Sequence, residues 1–457
     1  MSEACALAAA APAACHAGAL GALCLAMLTG KNNPGHLPRA VSAVGALAAL
    51  SAALSSCGGA QGLIVLDGPS RLWQVLFDVS GLLFLAARGP VSARSAALLS
   101  SSLCGMSLLA GATNLPMLFI GLELMSLPLY LLLHGLRPDA RSLEGALKYF
   151  FAGALAAGLF VFGMAAWYAA TGSFALADVP HGGPIAALGA GLLVAAGLFK
   201  LGAFPFMFWL PDAYEAAETE LTAFMATGVK AAGALLLMRL LPLAVGPLES
   251  VFLPGAAALT MLTGNVMALR QKDLQRLLAW SSVAHAGYIL AALWAWRRLG
   301  GSAPAAATVA LYLTLYLASS AGAFLALKAS GARTRDDLPG LAARSPLAAG
   351  LLCVFLLSLG GVPPTGGFVA KFFVLWDLWR AGSPGLAAVT ALASLIGLGY
   401  YISLVRAAAV DPAPEWKQGS GACPRWGLRA AVLACAAVTL LTGVMPGLRA
   451  GLEAALK

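Results

Sequence analysis

The chain has 457 residues, of which 60% are hydrophobic and only 10% are charged, and its formal net charge is +9. A soluble globular protein of this length would carry charge on about a quarter of its residues, so the composition excludes that class. Apolar stretches of 18 or more residues recur along the whole chain, and each is long enough to cross a bilayer. The composition therefore predicts an all-α integral membrane protein.

The apolar stretches predict about fourteen membrane-spanning helices of about 20 residues each. The predicted spans are 4–29, 38–57, 69–87, 93–112, 114–134, 145–170, 186–210, 221–241, 250–269, 276–296, 305–328, 346–378, 385–408 and 428–447. Little chain remains for a soluble domain that could hold NADH, a flavin or an iron–sulfur cluster. The first helix has no charged leader and no obvious cleavage site, so we expect it to be retained.

Lysines and arginines concentrate in alternate loops. With the N-terminus outside, the inner set is Lys31, Arg39, Arg88, Arg94, Arg137, Arg141, Arg270, Lys272, Arg276, Lys328, Arg333, Arg335, Arg344, Arg406, Lys417, Arg425 and Arg429. The outer set is Arg71, Arg239, Arg297, Arg298, Arg380, Arg449 and Lys457. Because cationic loops stay on the inner side of a membrane, this asymmetry places both termini on the outer face. The positive charge is thus explained by topology rather than by nucleic-acid binding.

The cysteines give no sign of a metal or cluster site. None of the eight forms a CxxC pair, and most lie in apolar stretches; they are Cys5, Cys15, Cys24, Cys57, Cys104, Cys353, Cys423 and Cys435. Cysteines of this kind usually act as small buried hydrophobic residues. We therefore predict no metal in this chain.

Two of the predicted helices are interrupted by proline and glycine. The seventh breaks in GLFKLGAFPFMFWLPDAYE (197–215), at Pro205 and again at Pro211, and the twelfth breaks in LSLGGVPPTGGFVAKFF (357–373). Each carries a lysine near its break. Paired broken helices in two halves of a chain often mark a transporter's ion site, and broken backbone at membrane depth must line protein or a hydrated cavity. The two breaks therefore predict a shared polar interior.

Five charged residues fall within apolar spans: Glu123, Lys148, Lys200, Lys230 and Lys371. A charge at the bilayer centre costs at least about 2.5–3.5 kcal/mol, and such residues usually face the bundle interior and mark ion paths. Glu123 and Lys148 lie on consecutive helices, so we expect an ion pair between them. The alternative for each lysine is a side chain that reaches back to the membrane surface, and for Glu123 it is a structural acid.

Two further residues, Asp78 and His285, could have either a structural role or a role in proton transfer. Asp78, in the third span, serves either in a helix-packing hydrogen bond or in proton transfer. His285 could relay protons because the free imidazole titrates near neutral pH, or it could be a hydrogen-bonded core residue. A row of one acid and several lysines suits stepwise proton transfer, which predicts a proton-translocating protein.

Five segments of the chain resemble one known family. They are GLELMSLPLY (121–130), EGALKYFFAGALAAGLFVFGMAAWYAATGS (144–173), GLFKLGAFPFMFWLPDAYE (197–215), GNVMALRQKDLQRLLAWSSVAHAGYIL (264–290) and LPGLAARSPLAAGLLCVFLLSLGGVPPTGGFVAKFFVL (338–375). In this order they are similar to subunit N of the bacterial proton-pumping NADH–quinone oxidoreductase, respiratory complex I, within the superfamily of antiporter-like subunits. Outside 121–375 the resemblance is limited to hydropathy and length.

The resemblance implies two inverted five-helix repeats, at helices 4–8 and 9–13. The implied segments are 1–112 with the N-terminal helices 1–4, 93–241 and 250–408 with the repeats, and 409–457 with a loop and the C-terminal helix. It also implies a bacterial inner-membrane location with periplasmic termini. Other membrane-arm subunits, antiporter-like neighbours among them, and membrane lipid would be the partners. NADH, FMN, iron–sulfur clusters and quinone would be bound by other subunits of the complex. Quinone reduction in those subunits would be coupled to protonation of residues in this chain.

The resemblance also assigns the buried charges. Glu123 and Lys148 match the family's ion pair, Lys200 and Lys230 its central lysines, and Lys371 its distal lysine.

The chain departs from the family at two places. Met207 stands where the family has a histidine of the central relay, so a water molecule or His285 would have to bridge Lys200 and Lys230. In the turn that follows, Ala216 and Glu218 stand where the family has Gly and Pro, so the turn's conformation need not be the family's.

Three alternatives stay open. They are a subunit of a multi-subunit sodium/proton antiporter, a subunit of a related membrane-bound hydrogenase, and a membrane subunit in which Met207 has ended pumping.

Overall fold

The fold is almost entirely helical. A computed structural model describes residues 3–28, 35–55, 59–61, 63–177, 183–244, 246–412, 426–445 and 447–456. The helices are α1 Glu3–Leu28, α2 His36–Ser55, α3 Gly68–Arg88, α4 Ala93–Gly111, α5 Leu115–Gly135, α6 Ala140–Thr171, α7 Pro184–Leu201, α8 Trp209–Ala216, α9 Thr219–Phe224, α10 Lys230–Leu240, α11 Leu253–Leu269, α12 Leu274–Arg298, α13 Ala303–Ser330, α14 Leu341–Arg344, α15 Pro346–Gly360, α16 Gly366–Arg380, α17 Pro384–Ala409, α18 Trp426–Val444 and α19 Leu448–Leu456.

Thirteen helical stretches in the described residues are long and apolar enough to cross a membrane. One of them joins α9 and α10 through a π-helical segment, Met225–Val229. The broken pair α15 and α16 adds one further crossing, so the fold agrees with the prediction of about fourteen. The helices α4–α10 and α11–α17 fall within the two predicted repeats, and the inverted relation between them stays a prediction.

The helix breaks lie where glycine ends a helix in the left-handed conformation. Gly202 follows α7 with φ 74°, and Gly361 follows α15 with φ 83°. In both, the glycine N–H donates to the carbonyl four residues earlier, which is a common helix terminus because glycine has no Cβ to clash. The second break expected at Pro211 does not occur. Pro211 lies in the first turn of α8, where its missing N–H has no partner to lose.

Most of the span of α9 and α10, of α12 and of α13 is buried among other helices. Small residues allow this close packing. A Cβ on Gly264 of α11 would lie 2.4 Å from the backbone nitrogen of Ala284 on α12, so any larger side chain would force these two helices apart. The buried helices carry Lys230 and His285, which places both far from lipid.

A short β-hairpin, β1 Gly59–Gln61 with β2 Ile64–Leu66, was not expected from the hydropathy pattern. It occupies the connection between α2 and α3, which is too short and glycine-rich for a helix. Some predicted features lie outside the described residues: most of the loop 409–427 and the side chains of Lys31, Lys417, Arg425, Lys457, Cys5, Cys57 and Cys423.

Candidate functional site

Three of the predicted lysines lie in the interior of the helix bundle. Lys200, Lys230 and Lys371 are 4%, 2% and 7% exposed, respectively. Buried ammonium groups need hydrogen-bond acceptors, and the structure supplies these from broken helices and from serine and tyrosine side chains. The burial predicted for these three side chains is therefore confirmed.

Lys200 lies in the last turn of α7, where the helix dipole favours a positive charge. Its Nζ donates to Ser126 Oγ at 2.7 Å. Ser126 lies one turn after Glu123 on α5, so Lys200 contacts the helix face that carries Glu123.

The predicted ion pair between Glu123 and Lys148 does not form. Lys148 Nζ lies 2.7 Å from Glu144 Oε1 and 3.0 Å from Asp212 Oδ2, and about half of its side chain is exposed. Lys148 is only about two turns into α6, so it reaches Glu144 near the start of that helix and Asp212 on α8. Glu123 makes no ion pair within 4.0 Å with any described residue. Lys148 therefore lies apart from the buried lysines Lys200, Lys230 and Lys371.

Lys200 and Lys230 line one narrow cleft together with Trp209, Leu210 and Tyr214. In this conformation the cleft has no space for a water molecule. Met207 is buried but is not part of the lining, although the family places a histidine at this position. Proton transfer between the two lysines therefore requires the cleft to widen, and Tyr214 is the polar side chain already in place. Sequence reasoning had missed this tyrosine.

Lys230 is connected to α12 through Ser282. Its Nζ donates to the Ser282 carbonyl at 2.5 Å and lies 5.8 Å from the centre of the Tyr316 ring. Tyr316 in turn donates to Ser282 Oγ at 2.8 Å. The π-helical segment that precedes Lys230 shifts the helical register of α10. The Lys230 side chain therefore points toward α12 and α13.

His285 lies between Lys230 and Lys371, and not between Lys200 and Lys230 as the substitution of Met207 had suggested. Its ring lies 4.8 Å from the Tyr316 ring, which Lys230 contacts at 5.8 Å, and 5.6 Å from the Tyr288 ring, which Lys371 contacts at 5.1 Å. Nδ1 lies 2.8 Å from the Tyr312 hydroxyl, and Nε2 lies 3.5 Å from the Tyr401 hydroxyl. The reason is geometric: His285 is one turn beyond Ser282 on α12, on the side that faces α16.

Lys371 closes the row at the break between α15 and α16. Its Nζ donates to the carbonyls of Leu359 and Gly360, at 2.8 and 3.0 Å, and to Ser394 Oγ at 3.0 Å. The two carbonyls are free because α15 ends there. Lys371 and His285 also line a common cavity of about 10 Å³, which is close to the space that one water molecule needs.

Asp78 makes hydrogen bonds between helices, as the packing alternative predicts, and its alternative role in proton transfer stays a prediction. It accepts hydrogen bonds from His16 Nε2 at 2.8 Å and from Gln74 Nε2 at 2.9 Å. Both Asp78 and His16 are fully buried between α1 and α3. The contacts join these two helices and leave Asp78 outside the row of lysines. His16 was not singled out from the sequence, because a lone histidine in an apolar helix carries no pattern.

The face that carries the predicted inner loops contains a second polar region. A cavity of about 470 Å³ is lined by Arg141, Glu215, Lys328 and Asp273 among others. Below it, Glu220 is fully buried and pairs with Arg88 at 2.8 Å and with Lys328. Burial raises the pKa of the Asp273 carboxyl. Among the described residues, no group of three His, Cys, Asp or Glu side chains is arranged to hold a metal ion.

Comparison with known proteins identifies the family. A family model described as NADH:quinone oxidoreductase/Mrp antiporter, TM, matches residues 112–397. NADH-quinone oxidoreductase subunit N 2 of Solibacter usitatus is 35% identical over 418 residues, covering 86% of this chain and 82% of that protein.

Two solved structures share the fold. A chain of respiratory complex I from Thermus thermophilus with bound aureothin superposes with a TM-score of 0.85 at 33% identity, covering 95% of this chain and 97% of its own. A chain of the Mrp complex from Dietzia sp. DQ12-45-1b has the same TM-score at 20% identity, covering 98% and 96%, which shows the fold alone. The chain belongs to the subunit N family of NADH-quinone oxidoreductases, the antiporter-like membrane subunits of respiratory complex I.

Proposed function

We propose that this chain moves protons through the membrane arm of an NADH–quinone oxidoreductase by way of Glu123, Lys200, Lys230, His285 and Lys371. The observation that carries the proposal is the continuity of these groups inside the helix bundle. Lys200 donates to Ser126, one turn after Glu123, and Lys200 and Lys230 line one cleft. The Tyr316 ring contacts both Lys230 and His285, and His285 and Lys371 line one cavity. Lys148 is outside the proposed relay because it is half exposed and pairs with the exposed Glu144 and the partly buried Asp212.

The size of the electrostatic effects supports stepwise transfer. Two unit charges about 4 Å apart interact by about 4 kcal/mol at an effective dielectric constant of 20. Moving one charge across a membrane potential of about 150 mV needs about 3.5 kcal/mol. A proton that arrives about 4 Å from a lysine would therefore change the energy of its ammonium by enough to drive a transfer, and the effect falls in proportion to the distance.

The electrons would not enter this chain. NADH, FMN, the iron–sulfur clusters and the quinone belong to partner subunits in this proposal, and Glu123, which is partly exposed on α5, would face a neighbouring membrane subunit. The chain would lie in the bacterial inner membrane with both termini periplasmic, as the distribution of cationic loops predicts. A cysteine added at either terminus should be labelled by an impermeant maleimide only from the periplasmic side.

The experiment that tests the function uses the whole complex. The chain would be affinity-purified from its native membrane, its co-purifying subunits identified by mass spectrometry, and the complex reconstituted in liposomes. We expect NADH oxidation by quinone to acidify the liposome interior in the absence of sodium.

The alternative functions predict different outcomes. Co-purifying antiporter subunits without quinone reductase activity, or an absolute need for sodium, would favour the sodium/proton exchanger. Co-purifying hydrogenase subunits would favour the membrane-bound hydrogenase.

A further inference from the structure

Asp377, near the end of α16, is a buried carboxyl that the relay described above does not use. The residue is 1% exposed. Its Oδ1 lies 3.5 Å from Arg449 Nη2 and 3.7 Å from Arg380 Nη1, whereas its Oδ2 is buried without a hydrogen-bond partner in the structure. The Thr308 side chain on α13 also stabilises this carboxylate. A buried carboxylate oxygen that makes no close hydrogen bond is costly, and Oδ2 is the oxygen left to accept a proton.

Besides Asp377, Arg449 contacts two other residues. It lies on the C-terminal helix α19, donates to the Pro304 carbonyl at 3.1 Å, and stacks over the Phe373 ring at 4.4 Å. Pro304 is in the first turn of α13 and Phe373 is one turn before Asp377 on α16. The helix α19 therefore crosses the face at which α16 ends, and its arginine supplies countercharge to the buried carboxyl.

Asp377 lies beyond Lys371 on the same helix. Six residues of α-helix span about 9 Å, which is the distance of a few water molecules. Between Lys371 and the end of α16, the charged residues are Asp377 and Arg380. Arg380 remains protonated at any physiological pH, so Asp377 is the group on this path that can accept and release a proton.

We propose that Asp377 is the proton-release site of this subunit, with Arg449 as its positioning residue; the inference rests on the proposed relay. The ammonium of Lys371 gives one proton through water to Asp377 Oδ2, which leaves a neutral amine and a neutral carboxylic acid. The acid then releases the proton to the solvent at the face covered by α19 and returns to a carboxylate beside Arg449. One proton leaves, and no other bond changes.

The test uses the intact complex in liposomes and compares proton pumping with quinone reduction. In Asp377→Asn, we expect pumping per quinone reduced to fall to the level of Lys371→Met. Asp377→Glu, which keeps a carboxyl, should retain most of the pumping. Glu249→Gln is the matched control, because Glu249 also pairs with an arginine, Arg297 at 3.9 Å, and lies in the helical segment Leu248–Phe252 rather than on α16. We expect wild-type pumping from this control.

The outcomes separate this inference from the relay itself. Loss of pumping in Lys371→Met with full pumping in Asp377→Asn would overturn the release site and leave the relay standing. Full pumping in both variants would overturn the relay. If Asp377→Asn does not assemble, Arg449→Lys and Arg449→Gln decide: the release site requires that Lys preserve pumping and Gln reduce it at equal protease resistance of α19. Equal pumping by these two variants would refute the role of Arg449.

Discussion

Replacement of Lys230 by methionine separates a role in proton transfer from a role in folding. Methionine is nearly as long as lysine and carries no proton. The Lys230 ammonium is 2% exposed and has one protein acceptor, the Ser282 carbonyl, for its three donors. An apolar residue of similar volume in place of a buried charge is often neutral or stabilising by about 1–4 kcal/mol. We therefore expect the Lys230→Met complex to assemble and to unfold at the wild-type temperature or above it.

In contrast to stability, the rate of proton transfer should fall in the Lys230→Met complex. A positioned acid–base group contributes about 10²–10⁴-fold in rate, which corresponds to about 2.7–5.4 kcal/mol at 1.36 kcal/mol for each factor of ten. The loss should appear in the rate of proton uptake into liposomes, measured with a pH-sensitive dye while quinone reduction is followed by absorbance. Lys272→Met is the control, since Lys272 is exposed in the loop before α12.

Two results would refute this reasoning. Wild-type pumping by an assembled Lys230→Met complex would show that protons do not pass through Lys230. A Lys230→Met complex that assembles poorly or melts well below the wild type would show that the ammonium is a structural necessity, contrary to the energetic argument.

Three further substitutions test the rest of the row. His285→Leu should abolish pumping without loss of assembly, because the imidazole lies between two lysines; full pumping would show that transfer bypasses it. Met207→Leu should leave pumping unchanged and cost less than about 1.5 kcal/mol in thermal unfolding, since the side chain is outside the cleft; a pumping defect would contradict this. Lys148→Met should lower the free energy of unfolding by no more than about 1 kcal/mol and leave pumping unchanged. A loss of pumping would show that Lys148 takes part in the relay.

The amino-acid sequence by itself determined the membrane class, the number of spans and the lysines that lie inside them. These features depend on local composition: a long apolar stretch must be helical in lipid, and a charge within it must find a polar interior. The helix breaks near Lys200 and Lys371 were also visible, since glycine and proline act on the backbone at their own positions.

The tertiary structure decided which of these groups meet. Lys148 pairs with Asp212, 64 positions later in the chain. His285 lies between Lys230 and Lys371 rather than between Lys200 and Lys230. Neither contact has a signal in spacing, because both depend on the rotation of one helix against another. The same holds for the approach of Arg449 to Asp377, which joins the last helix to α16. Sequence fixes the depth of a side chain within its helix, but only the packing of helices fixes its neighbours.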